Sequence, residues 1–287
     1  MIPFDRNEHI KCFQSLDFEK NKYSLEEYKN KCIDNNTINL DLDKPLYRIM
    51  SFERLLQILD KKKLFMVHPT CWDDPYEVFL MRKPGLGEFG NIGFDSILST
   101  LYGLCFSLKE ECDGLWRNYS SNSCKTCSKF DWEKRTKKPL ITVKVKTTGR
   151  KLMNAFYNIE NNFHPLNYWI GKVDYSTNRI SDFVRDGIEN IIDNTGCNLV
   201  ESLLLKREAF KYEEEVRLIY LTDSTNNNPE IYSFSIEPND IFDKIEFSPW
   251  TPEDDINQLI NKIKSKYQGE ISKSKLYDEP NIRIKVD

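Results

Sequence analysis

The chain reads as an α+β protein, and three observations carry that assignment. Strand-like and helix-like segments are mixed without a regular β-α repeat. Two segments, Leu140–Lys146 and Tyr212–Tyr220, alternate apolar and polar residues with the period of a strand. The composition, 39% hydrophobic and 13% aromatic with 11 Gly in 287 residues, is that of a folded globular chain rather than a disordered one. No internal repeat, low-complexity tract or interdomain linker divides the sequence. It is therefore read as a single domain, a sheet flanked by helices, over 45–287. Residues 1–44 form an N-terminal helical extension, and a basic insertion lies near 120–139.

The elements follow in order. Ser24 starts a helix as its N-cap, ahead of Leu25-Glu26-Glu27-Tyr28. Pro45 leads into the strand Leu46–Met50, and Ser51 caps a helix carrying Leu55, Leu56, Ile58 and Leu59. Lys61, Lys62 and Lys63 lie at its C-terminal end, where the helix dipole favours cations. Leu64–Val67 is the next strand, and Asp73-Asp74-Pro75 a turn. A helix is expected between Phe94 and Leu101, a strand over Gly103–Ser107 and a short helix around Leu115–Tyr119. Further helices are expected over 179–193 and 197–208, and further strands over Ile231–Ile236 and Lys244–Phe247. Thr251-Pro252-Glu253-Asp254 opens a last helix with cap, proline and first-turn acids, and its apolar stripe is Ile256, Leu259, Ile260, Ile263 and Tyr267.

Bulk properties exclude several classes. A net charge of −4 gives no global basic footprint for nucleic acid. No apolar run approaches the roughly 18 residues of a membrane span. The N-terminus shows no basic region leading into an apolar one, so no signal peptide is expected, and the eight cysteines read as reduced thiols in a cytoplasm.

The densest chemical signal is Tyr212-Glu213-Glu214-Glu215-Val216-Arg217-Leu218-Ile219-Tyr220. As one strand it sets Val216, Leu218 and Tyr220 on one face and Glu213, Glu215 and Arg217 on the other. Carboxylates two apart repel, which something cationic beside them would relieve. The alternative is an edge strand whose charges face water and discourage pairing with other edges.

Three constellations, in order and spacing, resemble a large bacterial domain-of-unknown-function family. The first is Leu46-Tyr47-Arg48 with the following helix, the strand at Leu64-Phe65, and Trp72-Asp73-Asp74-Pro75-Tyr76-Glu77, similar to that family's Y-R and N-D-P-F-E. The second is Phe106-Ser107 with Trp116-Arg117-Asn118-Tyr119, similar to F-S and W-x-x-Y. The third is Lys206 with Tyr212-Glu213-Glu214-Glu215-Val216-Arg217, similar to K and Y-E-x-E-x-R. The resemblance covers most of 45–265. Asp73 stands where the family has Asn, and Ser120–Cys127 replaces its usual strand after W-x-x-Y. This signature in turn resembles that of ADP-ribosyltransferases, which implies a mixed or antiparallel sheet of that type and NAD as substrate. The resemblance implies Arg48 as the NAD-binding arginine, with Tyr47 beside it. It also implies Ser107 or Tyr119 at the nicotinamide pocket, and Glu215 with Glu213 as the E-x-E carboxylates. The implied acceptor is a macromolecule, protein or nucleic acid. A toxin or phage-defence effector with an antitoxin or immunity partner is the implied setting.

Physical chemistry fits that implication. Cleaving a nicotinamide–ribose bond passes through a positively charged, oxocarbenium-like sugar, which a carboxylate stabilises. A second carboxylate can take the proton of the attacking nucleophile. Arg48 and Arg217 suit phosphate or ribose, and Trp116 or Tyr119 could stack on the charged nicotinamide ring. On this view Glu215→Ala abolishes transfer and spares the fold, a strand-face carboxylate contributing little packing. Plainer readings stand beside each residue. Arg48 could pair with Glu213 or Glu215, Trp116 and Tyr119 could be core, Asp74–Glu77 could be a simple turn, and the cleft could bind a nucleotide without turnover.

Other chemistries are weaker. Cys124-x-x-Cys127 is half a zinc site, with Cys105 and Cys112 as candidate partners but no second C-x-x-C, so no metal is expected. From Cys124 to Lys151 ten Lys or Arg face only Asp131 and Glu133, with Phe130 and Trp132 interleaved. Lys125, Lys129, Lys134 and Arg135 are thus candidate nucleic-acid contacts. Lys144 and Lys146 read as the polar face of a strand.

Overall fold

In the computed structural model the alternating segments pair into one ten-stranded mixed sheet flanked by helices. The structure describes residues 22–72, 74–78, 85–87, 90–92, 99–120, 141–157, 167–177, 196–222 and 230–280, together with 11 and 181. The strands are β1 (Thr37–Ile38), β2 (Pro45–Ser51), β3 (Lys63–Val67), β6 (Leu101–Ser107), β7 (Thr142–Thr148), β8 (Tyr168–Lys172), β9 (Glu215–Leu221), β10 (Ile231–Ser235), β11 (Lys244–Phe247) and β12 (Glu270–Lys273). A separate two-stranded pair is made by β4 (Gly85–Gly87) and β5 (Gly90–Ile92). The main path runs β1-β8-β9-β6-β2-β7-β11-β12, with β3 joined to β6 and β10 to β3. β1 with β8 and β11 with β12 are parallel, and the other described pairs are antiparallel.

One face of the sheet carries the larger core. Leu46, Met50, Leu104, Phe106, Val143, Val145, Val216 and Leu218 are all buried there. Helix α1 (Leu25–Asn35) sends Tyr28, Cys32 and Ile33 into it, and its start is the expected one: Ser24 and Glu27 form a reciprocal capping box. Helix α2 (Phe52–Lys61) adds Phe52, Leu55, Ile58 and Leu59, with Ser51 Oγ accepting from the Arg54 amide at 3.1 Å. On the opposite face Leu101, Trp169 and Ile219 pack against the short helix Cys197–Ser202 and Leu203-Leu204-Leu205.

Several elements differ from expectation. The strand expected from Tyr212 begins at Glu215, because Glu208–Glu213 is a 3₁₀ turn and Glu214 takes a left-handed conformation at φ 41°. That kink turns Glu214 outward to Lys109 and leaves Glu213 and Glu215 on a shared cation. The helix expected over 197–208 ends at Ser202, since the Asp174 amide then donates to the Leu204 carbonyl and the Lys206 amide to the Asp174 carbonyl. Pro252 serves as the N-cap of the last helix, which runs Glu253–Ile263. Of the helix expected between Phe94 and Leu101, Ser99 and Thr100 form a turn and Leu101 opens β6; the rest of it, and the helix expected over 179–193 apart from Ser181, lie outside the described residues.

Lys144 is not a solvated strand residue. It is 5% exposed, beneath the helix Asp113–Ser120, and paired with Glu111 and Glu246. Its side of β7 is covered there, so alternation correctly marked the face but not what lies over it.

Candidate functional site

Antiparallel register brings the three sequence constellations into one row. Tyr47 of β2 is opposite Ser107 of β6, and Ser107 is opposite Glu215 of β9. Tyr47–Ser107 is the one described pair between β2 and β6; further along, β6 instead meets β3 at Val67–Gly103. The sheet thus splays between β2 and β6, freeing backbone carbonyls that need donors. Arg48 supplies one, its Nη1 donating to the Cys105 carbonyl at 2.6 Å. The plainer alternative for Arg48, an ion pair with Glu213 or Glu215, does not form, for those carboxylates have other cations.

The cations are Arg217 and Lys206. Arg217 is fully buried and grips Glu215 with two hydrogen bonds, Nε to Oε1 at 3.0 Å and Nη2 to Oε2 at 2.9 Å. Its Nη2 also lies 3.2 Å from Glu77 Oε1, its Nη1 donates to the Leu203 carbonyl at 2.5 Å, and the Trp72 ring covers it at 4.2 Å. Lys206 Nζ donates to Glu213 at 2.7 Å and Glu215 at 3.1 Å, and lies 3.0 Å from Glu77. With all five ionised, three carboxylates against two cations leave one net negative charge.

Burial alone would push the Glu215 carboxyl up, but Arg217 and then Lys206 hold it down at about 2. Glu77 ends above its ordinary value because burial outweighs the same two cations. Lys206 and Arg217 would each be lowered by burial, and Glu215 and Glu77 raise both instead. Burial, then the Glu215 charge, keeps the Cys105 thiol well above its usual range and therefore neutral.

The segment 74–77 is pinned to the same cluster. Asp74 Oδ1 accepts from the Tyr76 amide, making the expected turn, and its carboxylate also takes Arg207 at 2.9 Å. Lys206 and Arg207 thereby clasp Glu77 and Asp74 in turn. Ser107 Oγ donates to the Glu213 carbonyl at 2.6 Å and accepts from the Lys109 amide at 2.9 Å, so it ties the end of β6 to the turn carrying Glu213.

Above the row opens a cleft in two parts. The smaller, about 40 Å³, is lined by Tyr47, Arg48, Ser107, Tyr119, Glu213 and Glu215 among others. The larger, about 180 Å³, shares Arg48, Cys105 and Tyr119 with it and extends to Arg54, Phe65 and Trp72. Six of the residues singled out in the sequence therefore converge. Trp116 does not join them: it is fully buried with Ile49 and Leu115, its Nε1 donating to Glu111 at 3.3 Å. Arg217 supports Glu215 from beneath, with no exposed surface. Lys125, Lys129, Lys134 and Arg135 lie outside the described residues, as do Cys124 and Cys127. No group of three metal-ligating side chains occurs among the described residues, and no described helix is long and apolar enough to cross a membrane.

Sequence reasoning did not assign site roles to Lys206, Glu77, Trp72 or Arg54. The first three stand inside the motifs that carry the family resemblance, which was the available signal; Arg54 had none. Chemically, the arrangement offers a carboxylate that stays ionised across the physiological range, a second and more accessible one in Glu213, an arginine in the seam and an aromatic edge in Tyr119.

No family model matches the sequence, and no curated protein does. Similar solved structures include DarT of Thermus sp. 2.9 in complex with ADP-ribosylated ssDNA, at TM-score 0.37 and 9% identity, covering 83% of this chain and 97% of that one. The same protein in complex with NAD+ gives TM-score 0.36 and 9% identity over 83% and 98% of the two chains. In complex with carba-NAD+ it gives 0.36 and 9% over 82% and 98%. Likeness at this level carries no argument about chemistry, and the functional reading rests on this chain's own residues.

Proposed function

We propose that this chain is an NAD-dependent ADP-ribosyltransferase that modifies a macromolecule. The observation that supports the reading most is the single register row Tyr47–Ser107–Glu215, opening on a seam bridged by Arg48. Glu215 faces the C1′ carbon of the nicotinamide ribose and stabilises the positive charge that develops as the C1′–N bond breaks. The bond's electron pair leaves with nicotinamide. A hydroxyl or amide nucleophile of the acceptor then bonds to C1′ and gives its proton to Glu213. Lys206 and Arg217 position the two carboxylates, and Tyr119 stacks on the nicotinamide. We assign this activity to an ADP-ribosyltransferase-like unit at 45–287 preceded by 1–44. Its proposed setting is a cytoplasmic toxin or phage-defence effector with an antitoxin or immunity partner.

A second reading is a nucleotide- or nucleic-acid-binding module without turnover. It is favoured by the full engagement of Glu215, whose two oxygens accept from Arg217 and Lys206. The deciding experiment incubates the protein with labelled NAD and cell lysate, beside Arg48→Ala and Glu215→Gln. Nicotinamide release and label in the protein and nucleic-acid fractions are followed. Transfer by the wild type that is lost in both variants supports the transferase; NAD binding with neither release nor label overturns it in favour of the binding module.

A further inference from the structure

Two guanidiniums line the larger cavity without a carboxylate. Arg48 donates to a backbone carbonyl, and Arg54 Nη1 donates to Gln57 Oε1 at 2.7 Å. Neither has an acidic partner among the described residues, whereas Lys144, Lys206 and Arg217 each meet at least two carboxylates. Burial, then the charge on Arg48, lowers the Arg54 pKa, so the two cations oppose each other across the space. Like charges beside apolar walls are unfavourable until an anion joins them.

The walls are apolar and partly aromatic. Arg54 lies 5.4 Å from the Phe65 ring centroid, and Trp72 and Tyr119 add two more rings beside the aliphatic Ile58, Leu64, Val67 and Leu104. Trp72 is held in position from two sides: Arg217 stacks on it, and Gly103 lacks the Cβ that would overlap its ring. Two adjacent cations need two adjacent anionic groups, and aromatic rings suit a planar base.

We propose that Arg48 and Arg54 together clamp the diphosphate of a nucleotide whose base enters between Phe65 and Trp72. This deepens the transferase reading by assigning the nucleotide end of the same cleft, and it makes Arg54 a specificity-determining residue.

Calorimetric titration with ADP, adenosine and inorganic pyrophosphate tests it on the wild type, Arg54→Gln and Arg54→Lys, with thermal unfolding confirming that each is folded. The expected result is ADP binding that Arg54→Gln weakens roughly ten- to hundredfold, the loss of one charge-assisted contact. Arg54→Lys recovers part of it, and the weaker adenosine affinity stays unchanged. No ADP binding by the wild type, or equal ADP affinity in wild type and Arg54→Gln, overturns the clamp. Nicotinamide release from NAD, measured on the same samples, separates the two ideas. Arginine-dependent ADP binding without release keeps the clamp and removes the transferase. Release with ADP affinity indifferent to Arg54 does the reverse.

Discussion

Glu215 and Arg217, two apart on one face of β9, are joined by a pair of hydrogen bonds of 3.0 and 2.9 Å, and the arginine has no exposed surface. This corrects the expectation that a strand-face carboxylate could be removed without structural cost. Truncating one member leaves the other charged and buried. Glu215→Ala should therefore destabilise the fold by about 3–5 kcal/mol. Urea unfolding of the variant checks this, and an unchanged midpoint would show that the pair carries no such energy. For the same reason Glu215→Gln, which keeps the shape and one of the two acceptor oxygens, disturbs the pair less than truncation and is the better probe of catalysis.

Acid should undo the same pair. The Glu215 carboxyl is held at about 2 when folded, against an ordinary value of 4.5. A depressed folded pKa means its stabilisation is complete above about pH 4.5 and disappears as pH falls towards 2. The span amounts to about 3 kcal/mol. Unfolding free energies measured between pH 6 and 3 should fall for the wild type and much less for Glu215→Gln. Parallel profiles for the two proteins would count against it.

Gly103 is needed for room rather than for backbone freedom. A Cβ at that position would overlap the Trp72 ring, which in turn covers Arg217. Gly103→Ala should cost about 1–3 kcal/mol by overpacking. Adding Trp72→Leu should recover part of the loss. Additive effects in the double variant would mean the two positions do not interact.

Lys144 should behave as a second buried ion centre. Its ammonium lies between Glu111 and Glu246, and it also donates to the Glu110 carbonyl at 2.6 Å. Lys144→Met leaves Glu111 without a cation among the described residues and Glu246 with Lys244 alone, and should destabilise by about 3 kcal/mol. Lys144→Met with Glu111→Gln should be more stable than Lys144→Met alone. A single variant as stable as wild type would return Lys144 to the solvated surface.

Local chemistry made much of the fold legible. The Ser24 and Ser51 caps, the stripe Ile256–Leu259–Ile263 and the strands at Leu46–Met50 and Lys244–Phe247 each depend on neighbours within a few residues, and each stands where the pattern indicated. The site was legible only as motifs. Tyr47, Ser107 and Glu215 could be named, but nothing local says that β6 pairs with both β2 and β9 so as to align them. Trp116 and Tyr119 lie three apart on one helix, and spacing gave no way to tell that the first is fully buried while the second is half exposed.

Periodicity and capping are properties of the chain taken a few residues at a time, and they sufficed for the α+β class, the apolar faces of β7 and β9 and the identity of the acid-rich segment, but not for the strands Thr37–Ile38, Tyr168–Lys172 and Glu270–Lys273. Tertiary structure decided which charges meet. Glu77, Lys206, Glu213, Glu215 and Arg217 come from three separated stretches, and their pairing follows from strand register and from the 3₁₀ turn ending at Glu213. Electrostatic energy depends on distances through space and on the water excluded between charges, and neither quantity is written in sequence separation.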